Sequence, residues 1–257
     1  MTVSRSPNSP WFQIRSATTD ARLRLFCFPY AGGGASVYRT WRDALPNSVQ
    51  VVPIQLPGRE SRLREPAFRR MEALIASLDG AIRPLLDRPY AFFGHSLGAS
   101  IAYELARTIE ASGAKGPVRL ITSGRRPPHL PQIKEPIHDL PDDAFVDALR
   151  DLEGTPDEAL ANAELMQLLM PLLRADFELV ESYSDTWQDD RPQVSCPVTA
   201  FGGLRDRDVP REDVEAWSRY GEPFRLRMFQ GGHFFLNDEA TRPLVLEAVT
   251  RELARYL

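Results

Sequence analysis

Ser96, His233 and one of two nearby aspartates, Asp206 or Asp208, are the residues of this chain whose types and order could perform nucleophilic acyl transfer. A serine hydroxyl is a weak nucleophile at neutral pH. It needs a base within hydrogen-bond reach, and the base needs a carboxylate that fixes its tautomer and stabilises the imidazolium. Ser96 stands in Gly94-His95-Ser96-Leu97-Gly98, between the apolar run Tyr90–Phe93 and an alanine-rich stretch of helical character. Strand, glycine-flanked serine and helix form the context of the G-x-S-x-G elbow. Its glycines remove β-carbons where a strained turn crowds the backbone. A glycine-rich turn with an inert serine would carry the same five letters, so the partners decide.

Elbow serines are followed along the chain by an acid and then by a histidine. His233 follows the apolar run Phe224–Phe229 through Gln230-Gly231-Gly232, which places it on a loop at a strand's C-terminal end. His95 adjoins the serine, so its side chain should point away from it. His129 and His138 precede any suitable carboxylate. The run Pro197–Phe201 leads into Gly202-Gly203-Leu204-Arg205-Asp206-Arg207-Asp208-Val209. Asp206 is preferred as the acid because Val209, three residues on, can anchor the loop's return to the core; Asp208 is the alternative. The oxyanion of a tetrahedral intermediate needs two donors. The backbone N–H of Leu97 is one. Ala31, in the glycine-rich loop Pro29–Gly34, is the choice for the other. A phosphate cradle is a poor reading of that loop, which lacks G-x-G-x-x-G and a following Gly-Lys-Ser/Thr.

The elements that must position these groups are strand-like runs at Arg22–Phe28, Val49–Ile54, Tyr90–Phe93, Val118–Thr122, Pro197–Phe201 and Phe224–Phe229. Several are continuously apolar, as strands covered on both faces should be. Helical stretches at Val37–Ala44, Phe68–Leu86, Ser96–Glu110, Val214–Tyr220 and Arg242–Tyr256 separate them. The alternation predicts an α/β fold with a mostly parallel sheet and helices on both faces. One interval, roughly 127–190, holds helices alone and is expected to be a lid over the site, or else an ordinary extra helical layer. Within it, Gly154 is placed to stop one helix. Thr155-Pro156-Asp157-Glu158 reads as a capping-box start for the next, which Pro171 should kink or restart.

The 257 residues are 43% hydrophobic and 26% charged and suit one domain over 1–257, with a loose Ser/Pro-rich tail over 1–20. A formal net charge of −4 gives no reason to expect nucleic acid. Four histidines and two cysteines, with no metal-binding spacing, predict neither metal nor cofactor. Cys27 and Cys196 read as reduced core thiols, with a disulfide as the alternative. No signal or membrane segment is recognisable, so a cytoplasmic location is expected; a monomer is the expected state, though no motif dictates it. Arg59, Arg62, Arg64, Arg69 and Arg70 make a local basic cluster, read either as a docking patch for an acidic partner or as a solvated face.

The chain resembles the free-standing type II thioesterases that accompany polyketide synthases and nonribosomal peptide synthetases. The resemblance lies in Phe26–Gly33, Gln55-Leu56-Pro57-Gly58-Arg59-Glu60, Phe93–Ala99, Ser123-Gly124-Arg125-Arg126, Leu169–Asp176 and Gly231-Gly232-His233-Phe234. Gln55–Glu60 is its most specific part, since generic α/β-hydrolases lack it. Tyr30 replaces a frequent histidine, and Arg207 a frequent proline after the acid. The resemblance implies an α/β-hydrolase that releases acyl groups from the phosphopantetheine arm of acyl or peptidyl carrier proteins. The arm would arrive in trans, because the chain shows no Asp-Ser-Leu attachment signature of its own. The alternatives are a small-molecule esterase or acyltransferase with the same triad, and a catalytically silent scaffold.

Overall fold

The computed structural model describes residues 9–12, 20–152, 157–185 and 193–257. Six strands form one sheet: β1 (Leu23–Phe28), β2 (Val49–Pro53), β3 (Tyr90–His95), β4 (Arg119–Ser123), β5 (Val198–Gly203) and β6 (Phe224–Phe229). Their order is β2-β1-β3-β4-β5-β6, and every neighbouring pair is parallel. The α-helices among the described residues are α1 (Trp41–Ala44), α2 (Met71–Ile82), α3 (Leu97–Ala111), α4 (Asp142–Asp151), α5 (Asp157–Leu160), α6 (Ala163–Asp185), α7 (Arg211–Glu215) and α8 (Arg242–Leu253).

Strands β1 to β5 are buried at every position, which explains their continuous apolar runs. Side chains alternate between the two faces of a strand. Phe26, Phe28 and Phe92 enter one core with α2 and α3, while Leu23, Leu25, Cys27 and Phe93 enter the other with Trp41 and α8. At the sheet's edge β6 alternates instead, with Arg225 and Arg227 reaching back to the buried carboxylate of Glu252. Burial pushes both thiols up, Cys196 to about 12, and both cysteines are free.

Two expectations need correction. The tail is not loose throughout 1–20: Trp11 and Phe12 are buried, Phe12 forms an antiparallel bridge to Ile54, and Gln55 N–H donates to Trp11 O at 2.8 Å. Helix α6 runs unbroken through Pro171 rather than restarting there. Gly154 and the start of the expected capping box, Thr155 and Pro156, lie outside the described residues. The helical insertion does fall between β4 and β5, with a core of its own made by Phe145, Leu149, Leu160, Met166 and Leu173.

The strand order reverses between β1 and β3, and ligand crevices in open parallel sheets form at such points, beyond the strands' C-terminal ends. The loop from Pro29 and the turn at Ser96 leave the sheet side by side there. Asp206 follows β5 and His233 follows β6 on the same edge.

Candidate active site

Ser96 has φ 52° and ψ −118°, a conformation strained for a residue with a side chain, and it directly precedes α3. The turn is possible because of its glycines. A β-carbon on Gly94 would lie 2.1 Å from the carbonyl oxygen of Gly98, and one on Gly98 would lie 2.1 Å from that of Phe28. Both obstacles are backbone and cannot swing aside. Gly98→Ala is therefore expected to cost at least about 4 kcal/mol. In a chain of this size that is on the order of 10 °C in the calorimetric melting midpoint. A midpoint unchanged from wild type would refute this account of the elbow.

The structure brings Asp206 and His233 together, with His233 Nδ1 2.7 Å from Asp206 Oδ2. The other oxygen, Oδ1, accepts the N–H groups of Asp208 (2.9 Å) and Val209 (3.1 Å), and Val209 is buried. The Asp206 side chain is 1% exposed. Asp208 turns instead to Lys134 Nζ at 2.5 Å and is a quarter exposed. Of the two aspartates, only Asp206 reaches the imidazole among the described contacts.

Ser96 and His233 line one cavity of about 380 Å³, together with Ala31, Leu149, Leu173 and Phe177. Helices α4 and α6 thus roof the serine with apolar side chains, while Ile133, 73% exposed, borders the cavity from the segment before α4. Ala31 sits in a turn closed by Gly33 N–H donating to Tyr30 O at 2.9 Å, with Gly32 at φ +76°. The N–H groups of Ala31 and Leu97 have no hydrogen-bond acceptor among the described residues. Among the described residues there is also no His/Cys/Asp/Glu group able to hold a metal.

Two further residues at the site carry no sequence signal for the place they occupy. His95 does point away from the cavity, but it lies beneath His233, with ring centroids 5.2 Å apart and its Nδ1 2.9 Å from Ser123 Oγ. The rings of Tyr30, Phe234 and Phe235 close around it. A β-carbon on Gly124 would meet this ring at 2.5 Å, which accounts for the glycine after Ser123. Burial first, and then the charge of His233, hold the His95 imidazole well below its ordinary range. The folded state therefore binds this proton less readily than the unfolded chain does. The associated stability is complete above the ordinary value of about 6.5 and is lost as pH falls from there toward the depressed one. His95→Asn should accordingly lose less of its melting midpoint than wild type between about pH 7.5 and about pH 5. An equal loss would show that His95 contributes nothing to acid sensitivity.

The second residue, Arg125, does line the cavity; its Nε donates to Ser100 Oγ at 3.2 Å, and burial lowers its guanidinium to about 10.

The five-arginine cluster does not form one surface. Arg59 is buried against Asp176. Arg62 is buried, pairs with the exposed Glu65 and lies over the ring of Trp11, whose centroid is 4.3 Å from its guanidinium carbon. Arg69 and Arg70 are exposed and share Glu178, and Arg64 is exposed. Any docking role falls to those last three.

An elbow serine, an acid and a histidine on loops beyond the C-terminal ends of one parallel sheet are the arrangement of the α/β-hydrolase fold, and solved structures of that fold superpose on this chain. Within it, the chain belongs to the thioesterase family, whose model, described as a thioesterase domain, matches residues 23–253. The gramicidin S biosynthesis protein GrsT of Aneurinibacillus migulanus is 44% identical over 227 residues, 88% of each chain. The structure of the RedJ thioesterase from the prodiginine biosynthetic pathway of Streptomyces coelicolor is 41% identical, with a TM-score of 0.84 over 92% of this chain and 88% of RedJ. The type II thioesterase BorB from the borrelidin biosynthetic cluster is 33% identical, with a TM-score of 0.83 over 95% and 98% of the two chains. Among the described residues no helix is long and apolar enough to cross a membrane.

Proposed function

We propose that this enzyme hydrolyses acyl groups from the phosphopantetheine arm of acyl or peptidyl carrier proteins, in trans, clearing stalled or misprimed units from a polyketide or nonribosomal peptide assembly line. The observation that carries the reading is the largely apolar, roofed cavity that holds both Ser96 and His233, in a chain of the thioesterase family related to proteins of such pathways. Its volume suits an acyl chain.

In this reading Ser96 Oγ attacks the thioester carbonyl while His233 Nε2 takes its proton. Asp206 keeps the imidazole in the tautomer with the proton on Nδ1 and stabilises the imidazolium. The N–H groups of Leu97 and Ala31 hold the oxyanion. Collapse of the intermediate breaks the carbon–sulfur bond, and the departing thiolate takes the proton from His233. A water then repeats the sequence on the acyl-enzyme and releases the free acid. None of these steps draws on a cofactor.

Hydrolysis of a panel of acyl groups loaded on carrier proteins, compared with soluble esters of the same acids, tests the substrate class. The proposal expects kcat/KM for the carrier thioesters to exceed that for the esters by an order of magnitude or more. The reverse preference would make the chain a small-molecule esterase. Failure of a fluorophosphonate to label the protein would favour the silent scaffold.

A further inference from the structure

The most specific stretch of the sequence, Gln55–Glu60, contributes nothing to the lining of the cavity. Its side chains converge instead on the loop that carries Ala31. Gln55, fully buried, accepts Ala35 N–H at 3.1 Å and donates to Arg59 O at 3.0 Å. Arg59, 4% exposed, donates to Gly33 O at 3.1 Å and makes two bonds of 2.8 Å to the carboxylate of Asp176 on α6. Asp176 in turn accepts Gly32 N–H at 2.7 Å. Glu60 accepts the backbone N–H and the hydroxyl of Ser36, and a β-carbon on Gly34 would lie 2.3 Å from that carboxylate.

Three consecutive glycines have little conformational preference of their own, so an external set of bonds must choose the loop's conformation. A buried ion pair is a poor source of net stability, because desolvation offsets most of its attraction. What a forked, fully hydrogen-bonded pair supplies is orientation. We propose that Arg59 and Asp176 are positioning residues for the oxyanion hole: by gripping Gly32 and Gly33 they set the direction of the Ala31 N–H, and they tie that direction to the roof helix α6. The inference rests on Ala31 acting as an oxyanion donor, as in the function proposed above. It does not depend on the identity of the leaving group.

The test uses Asp176→Asn and Arg59→Lys in the full chain, assayed with p-nitrophenyl butyrate and with a butyryl-loaded carrier protein. The first variant keeps an acceptor and loses the charge; the second keeps the charge and loses the fork. Each is expected to lower kcat about 10- to 100-fold with KM within about threefold, less than the roughly 10²- to 10³-fold lost when an oxyanion donor is removed outright. Affinity for a trifluoromethyl ketone analogue of the substrate should fall in proportion to kcat/KM, while affinity for the unreactive amide analogue stays unchanged. A merely structural role would move both affinities together or neither. Either of those results in a variant that keeps its circular-dichroism spectrum overturns the proposal. Loss of the fold in both variants also overturns it, since the pair would then be a folding element. If wild type cleaves the ester but not the carrier thioester, the substrate reading alone fails, and the positioning role is judged on the ester.

Discussion

Ser96→Ala is expected to fold like the wild type and to lose catalysis by about 10⁴-fold or more, in line with the loss of a nucleophile from a serine–histidine pair. The exchange removes one oxygen that borders an open cavity, so no buried partner is orphaned. Alanine and serine suffer comparably at φ 52°, so the backbone strain is little changed. The stability change should lie within about 1 kcal/mol. Steady-state turnover, a melting curve and labelling by a fluorophosphonate check the three parts separately. A variant that retains a tenth of the wild-type rate would show that the hydroxyl is not the nucleophile, and the proposed mechanism would fall with it.

Asp206→Asn is expected to reduce kcat by about 10⁴-fold at neutral pH, because an amide can hold the imidazole in the wrong tautomer and cannot stabilise the imidazolium. The carboxylate that the change removes is almost wholly buried and bonded to His233 Nδ1 at 2.7 Å. Its Oδ1 bonds to the N–H groups of Asp208 and Val209 can survive on the amide oxygen, so the loop should stay in place. Asp208→Asn, which disturbs a partly exposed contact with Lys134 at the border of the cavity but no bond to the imidazole, should leave kcat within about threefold. Measuring both variants on one substrate separates the two aspartates. Equal losses, or the larger loss at Asp208, would reverse their assignment.

The parallel sheet was legible because five of its strands are buried on both faces and therefore read as continuous apolar runs. The boundaries were less so. Strand β3 runs on through Gly94 and His95, residue types that do not announce a strand, because the elbow needs both to end against α3. Trp11 and Phe12 read as part of a loose tail because of the serines and prolines around them, yet they pack into the core and against Ile54. The acid and the histidine could be nominated from loop position and order along the chain. The pairing of Arg59 with Asp176 could not, since 117 residues separate them and a charged side chain in a loop ordinarily reads as solvated. For the same reason the five arginines read as one basic patch, although Arg59 and Arg62 are buried.

The outermost strand has a consequence for how the molecule behaves in company. An open strand edge offers unpaired peptide groups to any other extended chain, and such edges seed aggregation unless something guards them. On β6 the guard is a pair of guanidinium groups, Arg225 and Arg227, half in water and held toward the carboxylate of Glu252. An incoming strand would have to strip water from two cations at once.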